Sequence, residues 1–515
     1  MCATVTDTSA DRSRREESTL RERIAANPRP ALRWSAVTAV LFALEFGALA
    51  AGLLLVADVL VVAVTGFVEV LVGAFSGSAA ESVLGVQRSL SGFLDGLRSA
   101  AHSVPTLLSR ETLPNQGYQT GPSSAWEGTF LGLQPAVVWA VRATLVYVYA
   151  AVVTYWLFRG WNIFREYYRR ADWTPRDDVV DRLRGHRWGQ FGILVVLVFV
   201  TMAMFAPALG PTTVERNIES PYSHELQYYD AESGSVETTY VGDANFNSKS
   251  KGEGDQNVGV MSYDDYGRFH PFGTLTNGRD LFTFAVVGAR ISMSIAALSI
   301  VLASLLAVIA SMTSAYYKGL VDLTTILVAD GITSIPGLLL LLMVGMAFQG
   351  HWIAGILHGG FLYALAFGVI LFPGLWRAVR GPALQVSEEE WIDAAKSFGQ
   401  RPRTTMRKHM LPYVLPYLLI YASMSVGGVI ITLSALSFLG NGLGIDPPNP
   451  AWGRAISMGR NYVSTQSWHI AFIPGMFIVV LVTGLNALGD GLRDAIDPES
   501  EGGGEEEAAA GGAAG

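Results

Sequence analysis

Eight long runs of apolar residues constrain the fold of this chain more than any other feature of its sequence. They lie at roughly 36–63, 135–158, 190–209, 285–311, 321–346, 353–376, 414–438 and 469–489. A helix of about 20 apolar residues crosses a bilayer, so each run can span it. Only 16% of the 515 residues are charged, whereas a soluble protein has about a quarter. The sequence therefore predicts an all-α polytopic membrane protein.

The loops alternate between high and low content of Arg and Lys. Basic residues are frequent before the first run and in the loops 159–189 and 377–413, and scarce in the other long loops. Loops rich in Lys and Arg stay in the cytoplasm. We therefore expect a multi-pass protein of the plasma membrane with both termini and the loop 377–413 in the cytoplasm. The polar, Arg-rich first 33 residues do not fit a cleavable signal peptide.

The segment 66–104 has a different pattern from the apolar runs. Apolar residues recur at helical spacing, with charged residues between them, at Val83, Val86, Leu90, Phe93 and Leu97. This pattern favours an amphipathic helix on the outer face, packed on the bundle or on lipid headgroups. The alternative is a second short span, which would invert the orientation of everything downstream.

Composition divides the chain into five parts. Residues 1–33 form a cytoplasmic tail, and 34–185 hold an extra transmembrane pair with the external amphipathic segment and a basic cytoplasmic linker. Residues 186–284 hold a first core helix and a long external loop, and 285–498 the rest of the core. The acidic, low-complexity residues 499–515 are expected to be disordered.

The stretch SEEEWIDAAKSFGQRPRTTMRKHMLP, residues 387–412, interrupts the apolar runs with charge. Ser387 and Glu390 fit a capping box at the start of a helix, and Gly399 fits the left-handed position after its end. Pro402 fits the first turn of a second helix. By three- and four-residue spacing, one face of the first helix would hold Trp391, Ala394, Ala395 and Phe398. Such a face can dock another protein or rest on the chain's own membrane domain.

The spacing within this stretch matches a known motif. Asp393-Ala394-Ala395 is followed after three residues by Gly399 and, nine residues later, by His409-Met410-Leu411-Pro412. The pattern resembles the EAA loop of ATP-binding-cassette import permeases, with Asp in place of the usual Glu. The resemblance implies that the loop docks on an ATPase through Glu390, Trp391, Asp393, Ala394, Ala395, Phe398, Gly399, His409, Leu411 and Pro412.

Further motifs resemble the dipeptide, oligopeptide and nickel branch of the same family. They are the stretches 270–280 (HPFGTLTNGRD), 288–292 (GARIS), 436–440 (LSFLG), 446–453 (DPPNPAWG) and 486–498 (NALGDGLRDAIDP), and 186–211 resembles the family's first helix. The resemblance covers residues 186–498. It implies a six-helix importer permease core, which is here preceded by two extra transmembrane helices.

The outer motifs leave two interpretations open. The resemblance implies contact with an external receptor through Arg279, Asp280, Asp446, Pro447, Trp452 and Gly453. Alternatively, Arg279 and Asp280 form a local ion pair that anchors the long loop. The stretch 446–453 would then be a re-entrant turn, with Trp452 at the membrane–water boundary and its N–H in water.

Asp330 is the main charged residue inside the predicted core spans, just before the break Ser334-Ile335-Pro336-Gly337. An intramembrane carboxylate is by default functional. It could instead cap backbone freed at the proline or pair with an Arg. In the N-terminal segment Glu45, Asp58 and Glu69 raise the same question. We expect no metal site, because His351 and His358 have no third ligand at suitable spacing.

The resemblance implies a transport subunit rather than an enzyme, forming the translocation path for peptides delivered by an external binding protein. No phosphate-binding Gly-x-x-x-x-Gly-Lys-[Ser/Thr] stretch occurs, so no cofactor is expected in this chain, and ATP and Mg would bind to partner ATPases. The implied partners are a second, different permease subunit, two ATPase subunits, a lipid-anchored external solute-binding protein and membrane lipid, with no nucleic acid. The alternatives are uptake of nickel or another small solute by the same machinery, or an ion-coupled secondary transporter.

Overall fold

The computed structural model describes residues 19–73, 77–102, 104, 106–171, 174–439, 445 and 448–496. The acidic tail 499–515, which the sequence predicts to be disordered, lies outside the described residues. Most of the described chain is helical. The helices and strands are introduced below in chain order.

The N-terminal part contains a sharp bend that the sequence did not predict. α1 (Leu20–Ala26) and α2 (Pro28–Leu44) are followed by α3 (Phe46–Gly73) and α4 (Gly77–His102). The axes of α2 and the start of α3 differ by 80°. A single continuous span over 36–63 is therefore wrong, and its first half belongs to α2.

Glu45 lies at this bend and accounts for it. Its carboxylate is buried and accepts a hydrogen bond from the Leu108 backbone N–H at 3.0 Å. The neighbouring carbonyl of Leu44 accepts the N–H of Leu107 at 3.1 Å. The helix is thus interrupted at Glu45, and Leu44 and Glu45 bond instead to the segment that follows α4.

α3 and α4 form an antiparallel hairpin. Ser91 of α4 donates to the Asp58 carboxylate of α3 at 2.6 Å. The predicted helix within 66–104 is therefore present as α4, and its polar face contributes a partner for one of the acidic residues of α3.

The next helices are α5 (Pro135–Ile163), α6 (Pro175–Gly185), α7 (Arg187–Met204) and the short α8 (Ala206–Leu209). α2 packs along α5, since Trp34 donates to the Trp156 carbonyl at 3.1 Å and Tyr149 donates to the Leu41 carbonyl at 2.8 Å. These contacts join the extra N-terminal helices to each other before the core begins.

The long loop after α8, which the charge pattern predicts to lie outside the cell, folds into a small unit that is called the external unit below. β1 (Glu225–Asp230) and β2 (Ser235–Tyr240) pair antiparallel, with Glu225 opposite Tyr240. α9 (Val241–Asn247) follows, and then β3 (Ser262–Tyr263) pairs antiparallel with β4 (Phe269–His270).

The core consists of ten further helices in the described residues. They are α10 (Leu281–Tyr317), α11 (Gly319–Thr333), α12 (Gly337–Ala347), α13 (Trp352–Gly355), α14 (Gly360–Ser387), α15 (Glu390–Ser397), α16 (Pro402–Thr405), α17 (Leu411–Leu439), α18 (Trp452–Gly459) and α19 (His469–Ile496). The axes of α11 and α12 differ by 81°, which confirms the predicted break at Ser334–Gly337.

The spans agree in number with the sequence prediction when each bent pair is counted as one. Six unbroken helices of the described chain are long and apolar enough to cross a membrane, and the two bent pairs raise this number to eight. The main boundary error is in the sixth run, because the helix covers Gly360–Ser387 rather than 353–376.

Small residues let the core helices approach closely. A Cβ on Gly192 of α7 would lie 2.4 Å from the Leu488 backbone nitrogen of α19. A Cβ on Gly484 of α19 would lie 2.4 Å from Val195 of α7. Beside this seam, α10 packs along α14 with buried Ala303 and Ala307 in the interface.

The chain segments sort into two ends of the bundle. Arg182 donates to the Ala495 carbonyl at 3.0 Å, so α6 lies at the end of α19. Tyr168 donates to the Asn27 carbonyl at 2.6 Å, which joins the start of α2 to the segment after α5. α17 begins at this same end because it runs antiparallel to α19. The loop that contains α15 thus lies at the same end of the bundle as the first and last described residues, 19 and 496. The external unit lies at the other end of the bundle.

Candidate functional site

α15 is a short helix whose C-terminus is closed by Gly399. The Gln400 N–H bonds to the Ala395 carbonyl at 3.0 Å and the Gly399 N–H to the Lys396 carbonyl at 2.9 Å. These two bonds form a Schellman motif, in which the residue after the cap takes a left-handed conformation. Gly399 has φ = 72°, as its type and position predict.

The start of α15 differs from the prediction. Ser387 is the last residue of α14, is buried, and donates its hydroxyl to the Leu384 carbonyl at 2.7 Å. The N-cap of α15 is Glu389, which makes no side-chain cap hydrogen bond. The predicted capping box of Ser387 and Glu390 is therefore wrong, because α14 extends to Ser387.

α15 presents an apolar face to solvent. Phe398 is 91% exposed, Trp391 and Ala394 are exposed, and Ala395 is half-buried. The neighbouring side of the helix carries Ile392, which is fully buried among side chains of the core helices. Ile392 thus anchors the helix and the Trp391 ring stacks on Tyr413, whereas Ala394 and Phe398 stay uncovered.

The residues after Gly399 lead directly into the next span. Pro402 occupies the first turn of α16, as predicted. Met406–Met410 then form one turn of π-helix that continues into α17. His409 and Leu411 are half-buried here, and Pro412 is exposed.

Charged side chains of α15 make local contacts. Lys396 donates to the Asp393 carboxylate at 3.1 Å, and its ammonium lies 5.4 Å from the centroid of the Tyr316 ring at the end of α10. Glu390 lies in the first turn, where a carboxylate is favourable beside the helix dipole. Asp393 remains exposed.

Asp330 is paired with an arginine, which is one of the alternatives that the sequence left open. Its Oδ1 accepts from Nη2 of Arg377 in α14 at 2.7 Å. Thr333 also lies within hydrogen-bond distance of the same nitrogen, at 3.4 Å. The pair lies beside the break between α11 and α12.

The external HPFG motif and the start of α10 share a buried charge cluster. The His270 ring lies 2.9 Å from Asp280 and 3.3 Å from Asp264. Asp264 also pairs with Arg268 at 2.7 Å, and Asp280 accepts the Thr283 N–H at 2.6 Å, which caps α10.

Burial and charge oppose each other in this cluster. Burial by itself lowers the pKa of His270, but the hydrogen bonds and charges of Asp264 and Asp280 outweigh it and raise that pKa. Burial raises the pKa of Asp264, but Arg268 and His270 outweigh this and bring it well below its usual value. The cluster therefore favours a protonated His270 ring beside the ionised Asp264, and the hydrogen bond of the ring to Asp280 joins the external unit to the start of α10.

The residues predicted to contact a receptor are mostly inside the chain. Asp280 and Trp452 are each 1% exposed, and Gly453 is buried. Arg279 is half-buried and donates to the Ile218 carbonyl at 3.1 Å rather than to Asp280. Asp446 and Pro447 lie outside the described residues. Asp280, Trp452 and Gly453 are thus covered by the chain itself, and contact with a receptor through these residues stays a prediction.

Trp452 also does not lie with its N–H in water. It donates to the Ala285 carbonyl of α10 at 2.8 Å and packs edge-on against Phe199 and Phe477. The expected boundary position is wrong, because α18 folds back into the bundle between α17 and α19.

Sequence reasoning missed a buried arginine. Arg142 of α5 is fully buried and donates to the carbonyls of Leu113 and Gly210, each at 2.9 Å. It was the only charged residue within the run 135–158, and this isolation was a usable signal. It ties the extra helices to the loop after α8.

The fold and the loop at α15 together define a class: a polytopic helical membrane protein with a short helix, apolar on its exposed face, at one end of its bundle. Residues 299–501 match the family described as binding-protein-dependent transport system inner membrane component. The chain belongs to this family, and the predicted fold and resemblance are confirmed.

Curated relatives support the same assignment. The chain is 32% identical over 233 residues to the glutathione transport system permease protein GsiD of Escherichia coli O1:K1 / APEC, covering 45% of this chain and 73% of that protein. It is 32% identical over 245 residues to the protein of the same description from Pectobacterium atrosepticum, covering 46% of this chain and 78% of that protein.

The family fixes the general role of the chain. It is a permease subunit of an ATP-binding-cassette importer, a multi-pass membrane protein that works with ATPase and binding-protein subunits. It is a transport subunit and not an enzyme, because ATP hydrolysis belongs to a separate subunit.

Proposed function

We propose that this chain forms one half of a translocation path for peptides, in a heterodimer with a second, different permease. Two ATPase subunits, which bind ATP and Mg²⁺, dock from the cytoplasm at the segment that follows α14 and contains α15, and both termini of the chain are cytoplasmic. A lipid-anchored external binding protein delivers the solute. The named solute of the relatives, glutathione, is a peptide and supports this substrate class.

The uncovered face of α15 is the observation that carries the docking proposal. Phe398 is exposed on the same face as Trp391 and Ala394, and contiguous exposed apolar surfaces mark interaction sites. The buried Ile392 holds the helix on the bundle, so a displacement of the docked ATPase moves the core helices with it.

The contact between α15 and the rest of the bundle gives this displacement a route. Lys396 lies over the ring of Tyr316 at the end of α10. Lys318, just beyond that end, pairs with Glu388 at 3.3 Å. Closure of two ATPases on each other would therefore tilt α10 and α14 as rigid bodies.

Substitution of Phe398 tests the docking site. In the complete transporter, Phe398→Glu should lose ATPase co-purification and ATP-driven uptake at least tenfold, because a carboxylate would be buried without a partner. Phe246→Glu is the matched control, since Phe246 is exposed to 61% on the external unit, and it should retain the ATPase. Wild-type recovery of the ATPase with Phe398→Glu would contradict the assignment.

The substrate class is tested separately. Vesicles that contain the wild-type transporter and its binding protein should accumulate radiolabelled trialanine only when ATP is present on the ATPase side. Accumulation of nickel or another small solute, with no accumulation of small peptides, would contradict the peptide assignment and leave the docking assignment intact.

A further inference from the structure

Three ion pairs join α11 to α14 and its C-terminus. Lys318, just before α11, pairs with Glu388 at 3.3 Å; Asp322 pairs with Arg380 at 2.5 Å; and Asp330 pairs with Arg377 at 2.7 Å. The series begins at the docking loop and ends beside the break between α11 and α12.

Asp330–Arg377 lies deeper along α14 than Asp322–Arg380 and is also the more exposed of the two pairs. Contact with lipid would require the opposite, because charged groups are least favourable deep in the bilayer. α14 has 28 residues and is about 42 Å long, whereas a hydrocarbon core of about 30 Å takes about 20 residues, so every 20-residue stretch of α14 that could span it includes Arg377. The side chains of Asp330 and Arg377 are 59% and 45% exposed, against 19% and 30% for Asp322 and Arg380. Charged groups at this depth avoid lipid and face the bundle interior or a water-filled cavity.

The backbone at the same place is open as well. The break after α11 leaves Ser334, Ile335 and Pro336 exposed, although non-helical backbone at membrane depth is tolerated only inside protein or along a cavity. The hydroxyl of Thr333 lies beside the ion pair, and the Ser334 hydroxyl bonds to the Gly331 carbonyl at 2.7 Å. Polar groups are thus concentrated on this one surface.

The surface around Asp330 and Arg377 suits contact with water better than a dry interface with a second subunit. Within the described part of the chain, Arg377 uses only Nη2, which leaves Nε and Nη1 without a protein partner. A dry subunit interface would bury these donors at considerable cost, whereas water in a transport path satisfies them.

We infer that the exposed Asp330–Arg377 pair lies in the wall of the translocation path and binds solutes that carry both an ammonium and a carboxylate group. The ammonium replaces Arg377 at the Asp330 carboxylate, and the carboxylate replaces Asp330 at the guanidinium. This inference rests on the proposed function, because peptides with free termini belong to this chemical class.

Thiol labelling tests whether the surface is wet. The only cysteine is Cys2, so Cys2→Ser gives a background for single reporters. Thr333→Cys and Ser334→Cys place a thiol beside the pair, and Leu194→Cys of α7 is the matched control because Leu194 is exposed to 59%. In the complete transporter, a membrane-impermeant sulfonated thiosulfonate should modify both reporters at least tenfold faster than the control in one nucleotide state. Reporter rates that equal the rate of the Leu194→Cys control in the nucleotide-free, ATP-bound and vanadate-trapped states would overturn the inference.

The charge of the reagent tests the pair itself. With the Thr333→Cys reporter, Asp330→Asn should increase the ratio of anionic to cationic labelling rates severalfold, and Arg377→Gln should decrease it, since each change leaves one uncompensated charge. Asp322→Asn and Arg380→Gln serve as controls one step along the series and should change the ratio less. A ratio that stays constant in all four variants would remove the pair from the path.

A peptide tests the substrate role. In a transporter that accumulates trialanine, trialanine with its binding protein should slow labelling of Thr333→Cys, and N-acetylated trialanine amide should not. Unchanged labelling in that transporter would overturn this inference alone. A transporter that labels as expected but accumulates no peptide would instead contradict the proposed substrate class.

Discussion

Trp452 and Gly453 are adjacent residues with opposite steric demands. The indole of Trp452 fills the space beside Gly288, where a Cβ would come within 3.0 Å of the ring. Gly453 has no side chain because the α17 backbone occupies the position where one would lie. The two residues together let α18 enter the bundle.

Gly453→Ala should destabilise the protein. Its Cβ would lie 1.8 Å from the Ser434 carbonyl oxygen and 2.9 Å from the Phe438 nitrogen, and overpacking of a core costs about 1–3 kcal/mol. The thermal unfolding midpoint in detergent should fall clearly below that of the wild type. Gly428→Ala in α17 is the control, because no atom lies within 4 Å of its Cβ; equal midpoints for both variants would refute the close approach.

Residue types alone did not determine how these side chains are placed. A tryptophan after a proline-rich stretch is compatible with a wet boundary site, and only the position of α10, 167 residues away along the chain, supplies the buried carbonyl that its N–H requires. Gly399, by contrast, could be assigned from sequence, because the signal and the structure that it produces are both local.

At the scale of elements, the C-terminus of α15 determines how Phe398, the last residue of the exposed apolar face, is oriented. Phe398 and Gly399 follow the last turn, and the left-handed residue reverses the chain toward α16. The orientation of Phe398 therefore depends on the conformation of its neighbour.

Gly399→Ala should weaken ATPase binding without a steric clash. No atom lies within 4 Å of the added Cβ, so the cost is the left-handed backbone, about 1–2 kcal/mol for a residue with a side chain. We expect a several-fold loss of ATPase affinity in a titration of the solubilised permease complex. Gly399→Asn should retain more affinity, because Asn also occurs at this position; an equal loss in both variants would point to another cause.

Apolar patterning predicted most of the spans but not the breaks that depend on distant contacts. The break at Ser334–Gly337 was visible because proline interrupts a helix locally. The bend at Glu45 was not, because a glutamate is a good helix former and its partner, the Leu108 N–H, lies 63 residues away. Ser387 likewise fits an N-cap by its local sequence, although α14 continues through it.

At the scale of the whole molecule, the two ends of the bundle should differ in access from the cell exterior. In the Cys2→Ser background, Ser233→Cys between β1 and β2 should react with an impermeant thiol reagent in intact cells. Ser397→Cys at the end of α15 should react only after the cells are opened. Reaction of Ser397→Cys in intact cells would invert the orientation and contradict docking on a cytoplasmic ATPase.

The glycine seam between α7 and α19 has a consequence for the first 185 residues. Backbones that approach this closely cannot slide past each other without a clash, so the first and last core helices would move as one rigid unit. The N-terminal helices are attached to that unit through α6 and Arg182. They would therefore move together with α7 and α19 during the transport cycle.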